Sequence, residues 1–111
     1  MNKITVIVPC YNEEQSLHFF YEEMERVAAE MKEVAFEYLF IDDGSKDKTL
    51  ECIHELKAKD EKVHYVSFSR NFGKEAAIYA GLSHASGDYV AIMDADLQDP
   101  PSLLPEMYHA V

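Results

Sequence analysis

Positive charge is scarce in this chain. Ten Lys and Arg stand against 21 Asp and Glu over 111 residues, a formal net charge of −11. A surface built for nucleic-acid phosphates or anionic lipid needs the reverse balance, so no nucleic-acid partner is expected. One small phosphate site remains compatible with that charge, and clustered acids are candidate cation sites. Cysteine is equally sparse: Cys10 and Cys52 are too few for a disulfide framework and read as free thiols in a reducing compartment. Long apolar runs are lacking too. Lys3 is followed only by the short run Ile4 to Val8 before Pro9, which does not read as a signal peptide. No stretch approaches the roughly 18 apolar residues of a membrane span. The chain is therefore expected to be soluble and cytoplasmic. Internal repeats, low-complexity tracts and linkers are lacking, and 111 residues suffice for one domain, 1–111, with a real core.

What the chain does contain is alternation. Ile4–Val8 is a β-branched run ending at Pro9 and predicts a buried strand. Asn12, with Gln15 three residues on, predicts a capped helix whose apolar positions are Leu17, Phe20, Tyr21, Met24, Val27, Ala28 and Met31. Phe36–Ile41 predicts a second strand and Leu50, Ile53 and Leu56 a second helix. Val63–Phe68, a helix from about Gly73 to Ala85 ended by Gly87, and Asp88–Met93 follow. Ser102 or the prolines before it open a short last helix. Such alternation implies right-handed βαβ units: an α/β fold with a mostly parallel, Rossmann-like sheet and helices on both faces. Ligands in these folds bind beyond the carboxyl ends of the strands.

The unusual residues lie at those ends. After the first strand come Pro9, Cys10, Tyr11, Asn12, Glu13 and Glu14; this is a strand-to-helix turn, or a place where Tyr11 holds a base or ribose. Asp42-Asp43-Gly44-Ser45 follows the second strand. It is either an Asx turn with Gly44 at positive φ, or a site where Asp42 accepts from a base N–H or ribose hydroxyls. A G-x-G-x-x-G dinucleotide loop and a P-loop are both missing. Arg70 and Lys74 bring two cations to a helix N-terminus and are phosphate-binding candidates, or are solvated or paired with Glu75. After the fourth strand, Met93-Asp94-Ala95-Asp96-Leu97-Gln98-Asp99-Pro100-Pro101 places acids at alternate positions. In an extended chain Asp94, Asp96 and Gln98 share one face, giving three oxygen donors for Mg²⁺ or Mn²⁺. A solvated acidic turn, with Asp99 capping the last helix, is the alternative.

Taken in order, Val8-Pro9-Cys10-Tyr11-Asn12-Glu13-Glu14, Ile41-Asp42-Asp43-Gly44-Ser45-Lys46-Asp47 and the D-x-D Asp94-Ala95-Asp96 resemble the inverting family 2 glycosyltransferases, whose fold is GT-A. Ser69–Glu75, Ala80-Gly81-Leu82 and Asp96–Pro101 resemble the narrower polyprenyl-phosphate branch, the dolichol-phosphate mannosyltransferases and bactoprenol glucosyltransferases. The resemblance implies the N-terminal, nucleotide-sugar-binding half of that fold. Pro9, Tyr11, Glu13, Asp42 and Asp43 would line the nucleoside pocket, with Lys74 and Asp94 at the diphosphate. Asp94, Asp96 and Gln98 would hold Mg²⁺ or Mn²⁺. A UDP-sugar is favoured over a GDP-sugar as donor. A lipid phosphate is the acceptor in the full enzyme, which works at the cytoplasmic face of a membrane. Family members are considerably longer, so no catalytic residue is expected within this chain. The strands beyond it would leave a sheet edge open, and the isolated chain is expected to self-associate. Rival classes are a phospho-receiver domain, a nucleotidyltransferase and a fragment that retains no binding.

Overall fold

A computed structural model describes residues 1–97 and 100–110 of the chain. Strands β1 (Asn2–Cys10), β2 (Val34–Asp42), β3 (Val63–Ser67) and β4 (Tyr89–Ile92) alternate with helices α1 (Leu17–Glu30), α2 (Thr49–Lys59) and α3 (Lys74–His84). A 3-10 turn, Pro101–Leu103, leads into α4 (Leu104–His109). All strand pairings are parallel, in the order β3-β2-β1-β4. Chain order reverses between β1 and β4, so the topological switch point lies at their carboxyl ends.

Alternation along β1 builds two cores. Ile4, Val6, Val8 and Cys10 face one side, where α1 adds Leu17, Phe20, Met24 and Val27 and α2 adds Ile53 and Leu56. Ile7 faces the other side with Leu39, Ile41 and Ala77 of α3. Each of the large side chains contributes roughly 1.5–3 kcal/mol on burial. Helix α3 lies very close to β1: a Cβ on Gly81 would stand 2.5 Å from Cγ2 of Ile7. This glycine is a packing requirement that periodicity does not reveal.

Three local expectations are corrected. Pro9 does not end its strand; β1 continues to Cys10. On the β4 side Ile7 accepts from the Met93 amide, and alternation puts the donor that Pro9 lacks on that same side. β4 has already ended at Ile92, so the proline costs no ladder bond. Asn12 does not cap α1, which starts from Ser16 without a side-chain cap bond. Asn12 sits at φ 54°, and its side-chain oxygen accepts from the Lys46 amide at 2.9 Å. Gln15 therefore has no capping box to complete. Gly87 does not terminate α3, which ends at His84. Its amide instead donates to Thr5 Oγ1 at 2.9 Å, in a position where a Cβ would lie 2.7 Å from the Thr5 nitrogen.

Thr5 also donates to Glu37, which takes further hydrogen bonds from Ser86 Oγ at 2.9 Å and Lys3 Nζ at 3.3 Å. Burial alone would raise the Glu37 pKa, but the bonds from Thr5, Ser86 and Lys3 outweigh it and bring it from 4.5 to about 2. A carboxylate depressed on folding contributes stability that is whole above the unfolded value and fades as pH falls toward the folded one. Glu37→Gln should therefore flatten the loss of stability between about pH 4.5 and pH 2. Urea unfolding at stepped pH checks this; a variant with the parent's slope would show that this network does not drive acid unfolding.

Candidate active site

The switch point carries an open cavity of about 240 Å³, lined by Pro9, Cys10, Tyr11, Glu13, Asp43, Lys74, Asp94, Ala95 and Asp96. Four sequence segments far apart in the chain supply these residues. β1 and the loop after it give Pro9 to Glu13. The turn after β2 gives Asp43, the first residue of α3 is Lys74, and the turn after β4 gives Asp94 to Asp96.

Two loops are stitched together beneath the cavity. The Asn12 amide donates to Ser45 Oγ at 3.0 Å, the Glu13 amide to Thr49 Oγ1 at 2.7 Å and the Glu14 amide to Asp47 Oδ2 at 3.2 Å. Burial would raise the Asp47 carboxyl, but hydrogen bonds from Thr49 and from backbone amides hold it below its usual range. The Cys10 thiol is pushed well up by burial, with Glu13 and Asp42 adding to the effect, so it stays a neutral wall of the cavity.

The adjacent acids Asp42 and Asp43 are both buried, and each has its own work. Asp42 Oδ1 accepts from the Ser45 amide at 3.1 Å, an Asx turn with Gly44 at φ 68°. Its Oδ2 accepts from Ser67 Oγ at 3.2 Å. Asp42 lines a separate cavity with Ser45, Asp47, His54, Ser67 and Ser69. Asp43 reaches the other way. Its carboxylate accepts from the amides of Phe72 at 2.7 Å and Gly73 at 3.0 Å, the N-terminal edge of α3. A negative charge there is favoured by the helix dipole as well as by the two hydrogen bonds.

Asp43 thereby fixes the start of α3, where Lys74 extends into the cavity and meets Asp94 Oδ1 at 2.8 Å. Arg70 is not brought to the cavity; its guanidinium lies over the Phe72 ring, 4.5 Å from the centroid.

Asp94 and Asp96 converge, but not by the alternation of an extended chain. β4 ends at Ile92, and the Leu97 amide donates to the Asp94 carbonyl at 3.2 Å with Leu97 at φ 62°. A turn, anchored by buried Met93 and Ala95, brings both residues to the wall of one cavity. Gln98, the expected third donor, and Asp99, the expected cap, lie outside the described residues. Hard carboxylates paired in this way suit Mg²⁺ or Mn²⁺, which keep waters and substrate phosphates among their ligands instead of demanding a full protein cage. The donor set present therefore fits such an ion.

Residues 5–111 match the model of the family described as glycosyl transferase family 2. The chain belongs to that family. It is 48% identical over 105 residues to the bactoprenol glucosyl transferase of Shigella phage SfV, covering 95% of this chain and 34% of that protein. It superimposes with a TM-score of 0.77 and 26% identity on a mannosyltransferase of Pyrobaculum calidifontis solved with GDP-Man and Mn²⁺, covering 93% of this chain and 30% of that one. TarS residues 1–349 of S. aureus, solved with UDP, matches with a TM-score of 0.71 and 26% identity, over 96% of this chain and 31% of that one. These neighbours are GT-A glycosyltransferases, and the parallel sheet seen here is the Rossmann-like part of that fold. The chain spans about a third of the length of the curated relatives it matches. Membership of this family sets aside the phospho-receiver and nucleotidyltransferase readings. No helix among the described residues is long and apolar enough to cross a membrane.

The loop-to-loop stitching and the role of Asp43 were not foreseen from the sequence. Both depend on partners some 30 residues away, such as Asp43 with Phe72 and Gly73. The only local signal was the pair of adjacent acids itself.

Proposed function

We propose that the chain carries the donor-nucleotide portion of a glycosyltransferase. In the complete protein a sugar would pass from a nucleoside diphosphate to a lipid-phosphate acceptor at the cytoplasmic face of a membrane. The observation that carries this reading is the meeting of Asp94, Asp96, Lys74 and Tyr11 in one cavity at the switch point, in a member of family 2. Tyr11, Pro9 and Glu13 face the nucleoside, with Asp43 behind them, and Asp42 holds the turn that carries Asp43. Asp94 and Asp96 would hold Mg²⁺ or Mn²⁺, which when bound would supply charge to offset that on the departing diphosphate. Lys74 then trades its partner Asp94 for a phosphate oxygen. An ionised acceptor phosphate would attack the anomeric carbon opposite the leaving group, inverting it as the bond to the diphosphate breaks.

The acceptor part of this reading rests on the likeness to a bactoprenol glucosyl transferase. UDP is favoured over GDP on the resemblance of the sequence motifs. β4 is an outer strand of the sheet and its Val90 and Ile92 are each 42% exposed, which supports self-association of the chain.

The cavity, about 240 Å³, falls below the roughly 300–1,000 Å³ of pockets that enclose such ligands. The nucleotide should therefore bind to an open wall, weakly and with dependence on the cation. Calorimetric titration with UDP and with GDP, each with and without Mn²⁺, tests this. The expected result is Mn²⁺-dependent heat with UDP. Absence of binding by both nucleotides in Mn²⁺ would overturn the reading for this chain.

A further inference from the structure

Away from this cavity, His18 on α1 faces Cys52 and Glu55 on α2. The His18 imidazole Nε2 lies 3.1 Å from Glu55 Oε1, and the donor atoms of all three residues lie within 4.8 Å of one another. Cys52 and Glu55 stand three residues apart and so share one helix face. His18 and Glu55 make an ion pair, and the Cys52 thiol, which donates to the Glu14 carbonyl, completes the triangle.

We propose that His18, Cys52 and Glu55 form a second cation site, selective for a thiophilic transition ion of the Zn²⁺ type. Thiolate, imidazole and one carboxylate are the ligand types Zn²⁺ takes, at about 2.3 Å to sulfur and 2.0–2.2 Å to nitrogen and oxygen. Donor atoms within 4.8 Å need only small side-chain rotations to converge on one such ion. Three protein ligands leave a fourth position for water. The hard cation of the nucleotide cavity has no use for a thiol, so the two sites sort ions by ligand chemistry. Burial, and then the neighbouring carboxylates of Glu55, Glu14, Asp47 and Glu51, hold the proton on the Cys52 thiol, so an ion binding there must displace that proton.

The site would be a clasp. Helix α1 follows the loop that carries Tyr11 and Glu13, and α2 follows the turn that carries Asp43. The Cys52 thiol already lies 3.9 Å from the Glu14 carbonyl, so an ion here would tie both helices just below the stitched loops. Binding to the folded state alone raises the unfolding temperature by mass action.

The test is titration of the whole chain with Co²⁺, a spectroscopic stand-in for Zn²⁺, monitored by the thiolate-to-cobalt charge-transfer band. One equivalent should produce the band, Zn²⁺ should bleach it by displacement, and excess Mg²⁺ should not. Cys52→Ser should remove it. Losses outside the ligand shell already cost about 10–100-fold in metal affinity, so His18→Gln should weaken Co²⁺ binding by no less than about tenfold. Asp96→Asn should leave the band unchanged, which separates this site from the nucleotide cavity. No charge-transfer band, a band that survives Cys52→Ser, or undiminished Co²⁺ affinity in His18→Gln would each overturn the proposal.

Discussion

Asp96→Asn should lower Mn²⁺-dependent nucleotide affinity by about 10–100-fold, while metal-free binding does not weaken and the stability of the chain stays near the parent's. The substitution keeps the shape of the side chain and removes one charged oxygen donor. Metal sites respond on that scale even to losses outside the ligand shell. Among the described residues the cavity is lined by four acids, Glu13, Asp43, Asp94 and Asp96, against one cation, Lys74. A diphosphate entering it without a cation meets net negative charge, so the cation decides whether it binds. The Lys74–Asp94 pair is untouched by the change, and Asp96 is exposed, so the effect on folding should stay within about 0.5 kcal/mol. Titration with UDP and Mn²⁺ beside a metal-free series reads both halves of the prediction. Parent-like affinity in Mn²⁺ would remove Asp96 from the cation site.

The strand–helix alternation and the convergence of four strand ends were legible in the residues because both follow from local pattern. The β-branched run Ile4–Val8 and the aromatic-rich run Phe36–Ile41 lie within β1 and β2, and the apolar spacing from Leu17 to Val27 is buried along α1. Parallel pairing follows from the same alternation, whereas the order β3-β2-β1-β4, with its reversal between β1 and β4, does not. What could not be read were the roles that depend on partners distant in sequence. Asn12 has the residue type of a helix cap, yet its side-chain oxygen is taken by the Lys46 amide in the turn after β2. The D-x-D acids reach one cavity through a turn after β4 and not through strand alternation. Alternation in an extended strand and a turn after it both bring two carboxylates to one rim, and the sequence does not distinguish them. Asp42 and Asp43 look interchangeable in the chain, but the last ladder residue points its side chain to one side of the sheet and the next residue to the other. One closes its own turn and the other reaches across to α3.

That division of labour sets the largest stability effect expected here. Asp43→Ala should cost about 3–4 kcal/mol, because it strips the carboxylate from two amides at once. A hydrogen bond to a charged group is worth about 1.5–3 kcal/mol, and the helix N-terminus adds a fraction more. Against a total of about 5–15 kcal/mol, that is a severe loss. Gly44→Ala should reach a similar size by a different route. Its φ of 68° disfavours any side chain, and a Cβ would stand 2.2 Å from the backbone carbon of Arg70. Both changes loosen the same junction, between the turn after β2 and the segment leading into α3. Both should therefore displace Lys74 and weaken nucleotide binding whether or not Mn²⁺ is present, unlike Asp96→Asn. Asp43→Asn, which keeps one acceptor oxygen and the shape, should fall about midway in stability. Urea unfolding ranks the three variants, and UDP titration with and without Mn²⁺ separates a displaced lysine from a lost cation ligand. If Asp43→Ala costs less than about 1 kcal/mol, solvent satisfies the Phe72 and Gly73 amides, and Asp43 would have to be explained by the ligand it faces, not by the helix it anchors.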